Sequence, residues 1–264
     1  MDYDPPMYPV LFRIGSLEIT SFGVMVALGA LLGILVLRRE LERSRVDSVK
    51  GTDAALIGVL GGLAGAKLLY VVEHWAEPLS ETLLSRGGMS WFGGFTGGVL
   101  AGLAWVAWQR LPLMTVLSAA GPALAVGQGV GRIGCFLVGD DYGRPTSLPW
   151  GIAFPNGLPP TLERVHPTQL YEAFFLFAVA YVLVRLRRRG LSDRATFGAY
   201  LVAAGGMRFL IELIRVNVPV LAGLTTAQLF SIAVVALGIG LMVVKSGAPV
   251  PVVEARQRGG RKRR

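Results

Sequence analysis

A single cysteine, Cys135, stands among 264 residues, which excludes an intramolecular disulfide and leaves the redox compartment open. Charge is also scarce. Asp, Glu, Lys and Arg make up 16% of the chain, against about 25% in ordinary soluble domains, so there is too little polar surface for a water-facing globule. Two histidines and no His-Glu-x-x-His run argue against zinc chemistry, and no Gly-x-Ser-x-Gly turn marks a nucleophilic serine. No metal or other cofactor is expected. No internal repeat is evident, so an inverted-repeat transporter has no support from periodicity. What the chain has in quantity is apolar: 53% of residues are hydrophobic and mean hydropathy is +0.55, yet the net charge is +9.

About 20 apolar residues cross a bilayer as a helix. Such stretches lie near 18–37, 52–72, 91–109, 113–134, 167–184, 195–214 and 224–244. The expected fold is therefore an all-α integral membrane protein with seven transmembrane helices. The residues before the first span carry Asp2, Asp4 and several prolines and do not read as a signal peptide. Of the 26 basic residues, 18 fall on one set of alternate connections, five on the other, and Lys67, Arg132 and Arg208 lie within spans. Basic loops stay in the cytoplasm, which puts the N-terminus outside and the C-terminus inside. The tail after 245, ending Arg-Gly-Gly-Arg-Lys-Arg-Arg, reads as a juxtamembrane segment against anionic lipid, not as a nucleic-acid arm.

Ionisable residues inside spans cost about 2.5–3.5 kcal/mol on insertion scales, so each is a site candidate. Arg132, Glu172, Arg208, Glu212 and Lys67 all fall in the outer half of the membrane. Some of the candidates have a plainer alternative: Arg208 and Glu212 can form an ion pair along their own helix, Lys67 can snorkel, and His166 can simply cap the helix after it. Arg132 has no carboxylate at helical spacing and wants an external anion. Two arginines, with or without Lys67, suit a phosphate. Glu172, Asp140 and His166 are able to move a proton. The glycine pairs 58/62, 61/65, 93/97, 94/98 and 98/102 suit close packing of the second and third spans. The connection from 135 to 165 is long and turn-rich, with Tyr142, Trp150 and Phe154 suited to the interface. The shorter one from 73 to 90 is a candidate amphipathic surface helix.

Several segments, in order, resemble the bacterial prolipoprotein diacylglyceryl transferase family over nearly the whole length. They are Met89-Ser90-Trp91-Phe92-Gly93-Gly94, Gly131-Arg132-Ile133-Gly134-Cys135-Phe136 with Gly139-Asp140, Trp150 to Pro155, His166-Pro167-Thr168-Gln169-Leu170-Tyr171-Glu172, Arg208-Phe209 with Glu212 and Arg215, and Leu224-Thr225 with Gln228. The resemblance implies a multi-pass enzyme of the bacterial inner membrane with its active site facing the periplasm. It implies transfer of diacylglyceryl from phosphatidylglycerol to the lipobox cysteine of a prolipoprotein signal peptide, forming a thioether and releasing glycerol 1-phosphate. Residues 1–264 then form one transferase domain, with 135–166 as a periplasmic head loop between helices 4 and 5 and 246–264 as a basic cytoplasmic tail.

By the same resemblance Arg132, Arg208, Glu172 and His166 are the catalytic candidates. Arg132, Asp140, Arg208, Glu212, Lys67, Gly93 and Gly94 are the lipid-binding candidates. The chain departs from the family's usual pattern at Phe92, where histidine or tyrosine is usual, at Cys135 for asparagine, at Phe22 for tyrosine and at Lys67 for arginine. Phenylalanine cannot accept a proton, so a base at position 92 is excluded and Glu172 or His166 is expected instead. A related transferase with a different acceptor, and a non-enzymatic lipid-binding protein or transporter, are the alternatives.

Overall fold

The computed structural model describes residues 8–15, 17–84 and 88–244. Asp2, Asp4, Arg86, Lys245 and the basic tail 246–264 lie outside the described residues. The chain runs β1 (Val10–Ile14), β2 (Leu17–Thr20), α1 (Ser21–Arg43), α2 (Ser48–Glu73), α3 (Leu79–Leu84), α4 (Trp91–Trp108) and α5 (Leu113–Val138). It continues with β3 (Ile152–Phe154), β4 (Thr161–Val165), α6 (Thr168–Arg188), α7 (Asp193–Glu212) and α8 (Thr226–Val243). Six of these helices, α1, α2, α4, α5, α6 and α8, are long and apolar enough to cross a membrane. The seventh expected span is the helix α7, which carries Asp193, Arg194, Arg208 and Glu212 and is not among the six.

Polar side chains set the helix starts. Thr20 accepts from the Gly23 amide, Asp47 from Val49 and Lys50, and Ser192 from Ala195, each satisfying amides that the first turn leaves without a partner. Thr225 and Gln228 form a reciprocal capping box on α8. Many large apolar residues face outward, among them Leu60, Leu100, Phe174 and Leu210, as a lipid-facing surface requires. Trp75, Trp91 and Trp108 are exposed at helix ends, where amphipathic rings suit the interface.

The helices assemble as close pairs. Helix α2 lies along α4, α1 along α5, and α7 along α8, while α5 is the most buried helix and also meets α6 and α7. In the α2–α4 pair a Cβ on Gly93 would run into the Gly65 carbonyl and the Leu69 side chain. Gly93→Val is therefore expected to force these helices apart and cost roughly 1–3 kcal/mol. Gly240→Ala, with nothing within 4 Å of the added methyl, should be neutral or stabilising. Thermal unfolding of the two purified variants in detergent checks the contrast.

The structure departs from the sequence expectations in four places. The fold is not purely helical: β1–β2 and β3–β4 are antiparallel hairpins outside the long helices. Helix α5 runs past 134 to Val138, because Gly139 at φ +70 is the residue able to take the left-handed turn that ends it. Cys135 is thus helical and buried, and the head loop begins at Gly139. Within 73–90 the described helix is the six-residue α3.

The fourth departure concerns charge. Arg187, counted with the cytoplasmic-side loops, is buried at 8% exposure beside Glu40 at 3%, with Nε 3.0 Å from Glu40 Oε2. It also donates to Ser118 and Ser44, while Glu40 pairs with Arg43 as well. Asp193 lies 3.7 Å from Arg187 and accepts from Thr115 at 2.7 Å. This cluster ties α1, α5, α6 and α7 together at the end of the bundle opposite to Arg132.

Candidate functional site

At the other end, α5, α6, α7 and the start of α8 bring a second charged cluster together. Arg132 sits in the last two turns of α5. Its Nη1 donates to Asp141 Oδ2 at 2.7 Å, and its Nε pairs with Glu172 in the first turn of α6. The other Asp141 oxygen accepts from Arg215, just past α7. Arg208 Nη1 lies 2.6 Å from Glu212 Oε2, four residues on along α7. Glu212 Oε1 accepts from Asn217 at 2.7 Å and from the Thr225 hydroxyl at 2.8 Å, so the cap of α8 is wired into the cluster. Glu172, almost fully buried, is paired with Arg132, and the charges of Arg208 and Arg215 also act on it.

The expectation that Arg132 lacks a partner holds only along its own helix. Its partners come from α6 and from the loop after α5. That loop is pinned by its backbone. Gly143 N donates to the His166 carbonyl at 2.9 Å, Arg144 N to Ile214 at 2.8 Å, and Thr168 Oγ1 to the Asp141 carbonyl at 2.7 Å. Burial pushes Asp141 upward, but the Arg215 and Arg132 guanidiniums outweigh it and hold its carboxyl below the usual carboxylate range.

The neighbouring Asp140 turns elsewhere. Its carboxyl meets the Cys135 thiol, its carbonyl accepts from Gln169 Nε2, and burial, with Asp141 adjacent, raises it above the usual range. The ligand atoms of Cys135, Asp140 and Asp141 lie within 4.8 Å of one another, but two guanidiniums already claim Asp141 and their charge opposes a cation there.

Three expected site residues sit apart from this ionic core. Lys67 Nζ donates to the Gly88 carbonyl at 3.2 Å and stands 5.4 Å from the centre of the Tyr70 ring. Gly93 is closed in by α2, whereas Gly94 lines a cavity of about 490 Å³. Ser90, Trp91, Phe95 and Gln128 also line that cavity, which lies where α4 follows α2 and barely meets α5. Gln128 is four residues before Arg132, so the arginine lies one turn further along the same face of α5. Phe92 is half exposed and stacks edge-on against Trp91.

His166 Nδ1 lies 3.4 Å from Tyr171 Oη, which accepts from Trp150 Nε1 at 2.7 Å. With the indole donating, the phenol hydrogen is available to His166 Nδ1, and a neutral imidazole then carries its proton on Nε2. Sequence reasoning missed Asp141 and Arg215 as partners. The only available signals were the doubled aspartate after Gly139 and the spacing of Arg208, Glu212 and Arg215 along one helical face.

Fold and site together define a multi-pass membrane protein with an arginine–carboxylate centre at one end of its bundle, beside a cavity between helices. Residues 9–244 match the family described as prolipoprotein diacylglyceryl transferase, and the chain belongs to that family. It is 35% identical to the phosphatidylglycerol–prolipoprotein diacylglyceryl transferase of Geobacter sulfurreducens, over 92% of this chain and 96% of that protein. The similarly named protein of Bordetella bronchiseptica is 34% identical over 93% and 98% of the two chains. That of Clostridium tetani is 32% identical over 88% and 96%.

Proposed function

We propose that this protein transfers the diacylglyceryl group of phosphatidylglycerol to prolipoprotein in lipoprotein maturation, the activity that its relatives' names state. The observation that carries the assignment to this site is the set of ion pairs at one end of the bundle, Arg132 with Glu172 and Asp141, Arg215 with Asp141, and Arg208 with Glu212. In the proposed step the thiolate of the acceptor's lipobox cysteine attacks the glycerol carbon that bears the phosphate. A C–S bond forms, the C–O bond to phosphate breaks, and glycerol 1-phosphate leaves with one more negative charge than the diester carried. Fixed guanidiniums stabilise that developing charge without having to reorganise.

The thiol proton passes to Glu172. Its Oε1 has no hydrogen-bond partner among the described residues, whereas the contacts of His166 favour a donor on Nε2. Asp140 and Gln169 shape the wall beside it, and the groove at Gln128 gives the lipid lateral access.

The proposed topology has all seven long helices crossing the bacterial inner membrane, with the site on the periplasmic side and the C-terminus in the cytoplasm. The asymmetry of lysine and arginine supports this. So does the N-terminal hairpin, whose Tyr8 amide donates to Leu137 at the site end of α5.

Complementation is the test. Cells depleted of their own transferase should grow on this protein, and purified protein should convert a lipobox peptide when given phosphatidylglycerol. No rescue despite good membrane expression overturns the assignment. Glycerol phosphate released without a peptide acceptor points to the alternative acceptor.

A further inference from the structure

The site is already neutral before any lipid arrives. Arg132, Arg208 and Arg215 face Glu172, Glu212 and Asp141, three charges against three, while Asp140 turns to Cys135 and Arg144 directs its Nε to the Arg215 carbonyl. An anionic phosphodiester entering this centre therefore needs a carboxylate to yield. Glu172 and Glu212 are each 1% exposed, but Asp141 is 39% exposed. Its two oxygens each take a different guanidinium, Arg132 and Arg215, as the two free oxygens of a phosphodiester would. Its backbone sits at φ +61, a region unfavourable for a side-chain-bearing residue, and its carbonyl is fastened by Thr168. Thr168 thus holds the backbone, while the partly exposed carboxylate has solvent on one side to turn into.

We propose that Asp141 is an exchangeable internal anion, a positioning residue that holds Arg132 and Arg215 ready for the lipid phosphate and gives way when the phosphate binds. This rests on the reading of the site as one that takes phosphatidylglycerol.

The test compares the full-length protein with Asp141→Asn, Asp141→Ser and Asp141→Glu in nanodiscs. Transfer to a lipobox peptide is followed at varied phosphatidylglycerol, with inorganic phosphate as a competing anion. Removing the internal competitor should lower the KM for phosphatidylglycerol, and the phosphate concentration needed to inhibit, by roughly tenfold, the size of one charge-assisted hydrogen bond. Asp141→Glu, which keeps the charge, should restore both values. A KM that rises in the Asn and Ser variants, or a kcat that falls at constant KM, would make Asp141 a brace and overturn the proposal. Retention of phosphatidylglycerol by native mass spectrometry reads binding without turnover. Tighter retention in Asp141→Asn supports the exchange even if the wild-type protein transfers nothing, and equal or weaker retention refutes it.

Discussion

Arg132→Gln should lower kcat for diacylglyceryl transfer by about 10²–10³-fold, the usual cost of removing one preorganised donor to a developing anion. Two effects add. The variant loses a cation at the leaving phosphate, and it leaves Glu172 buried beside one fewer positive charge. Arg132→Lys separates them. A lysine restores the charge but presents a point donor, whereas Arg132 uses Nε toward Glu172 and Nη1 toward Asp141 at once. We expect Arg132→Lys to recover thermal stability in detergent but to remain at least roughly tenfold slower than wild type, because a second directed donor is missing. Wild-type turnover by a well-folded Arg132→Gln protein would remove Arg132 from the chemistry and with it the proposed stabilisation of the leaving phosphate.

The second large effect lies at the opposite end of the bundle and concerns stability. Arg187→Ala strips the buried partner from Glu40, a carboxylate at 3% exposure then left with the half-exposed Arg43, and removes the donor to Ser118 and Ser44. Breaking a buried pair on one side typically costs about 3–5 kcal/mol, because the remaining charge cannot return to water. Loss of folded protein in membranes, or a large drop in unfolding temperature, is the expected result. Replacing both partners, Glu40→Leu with Arg187→Met, should recover most of the loss, since well-packed apolar residues often match a buried ion pair. If the double variant is no better than Arg187→Ala, the pair is supplying something besides charge compensation. The two clusters lie far apart along α5: Ser118, at one, and Arg132, at the other, are fourteen residues apart, a rise of about 21 Å. The bundle therefore keeps two charged clusters on the same helix, well separated in depth.

Much of the helical plan was readable from the chain. Each long apolar run became a helix, the glycine pairs of the second and third spans became the α2–α4 contact, and Arg208 with Glu212 formed the ion pair that their spacing suggested. These features are local, or repeat with the period of a helix. The head of the molecule was not readable in the same way. Two hairpins, the left-handed residues Gly139 and Asp141, and the backbone bonds that pin 139–144 to α6 and the end of α7 depend on what lies across the gap. Asp140 and Asp141 are chemically identical, and sequence similarity drew attention to the first. One residue of register in that turn aims the first at Cys135 and the second at Arg132 and Arg215.

By itself the sequence determined a membrane-embedded helical chain, the asymmetry of its basic residues, and the few ionisable groups that a bilayer would not tolerate without a purpose. Transfer free energy and helical periodicity act on each segment alone, so a linear chain carries that information. Only the tertiary structure decided which charges meet. A guanidinium and a carboxylate compensate one another within a few ångströms, and that distance is set by how close the glycine faces let helices come and where a left-handed turn aims the chain. The same constraint buried Arg187 among partners from several helices and brought Arg132 from α5 onto Glu172 of α6.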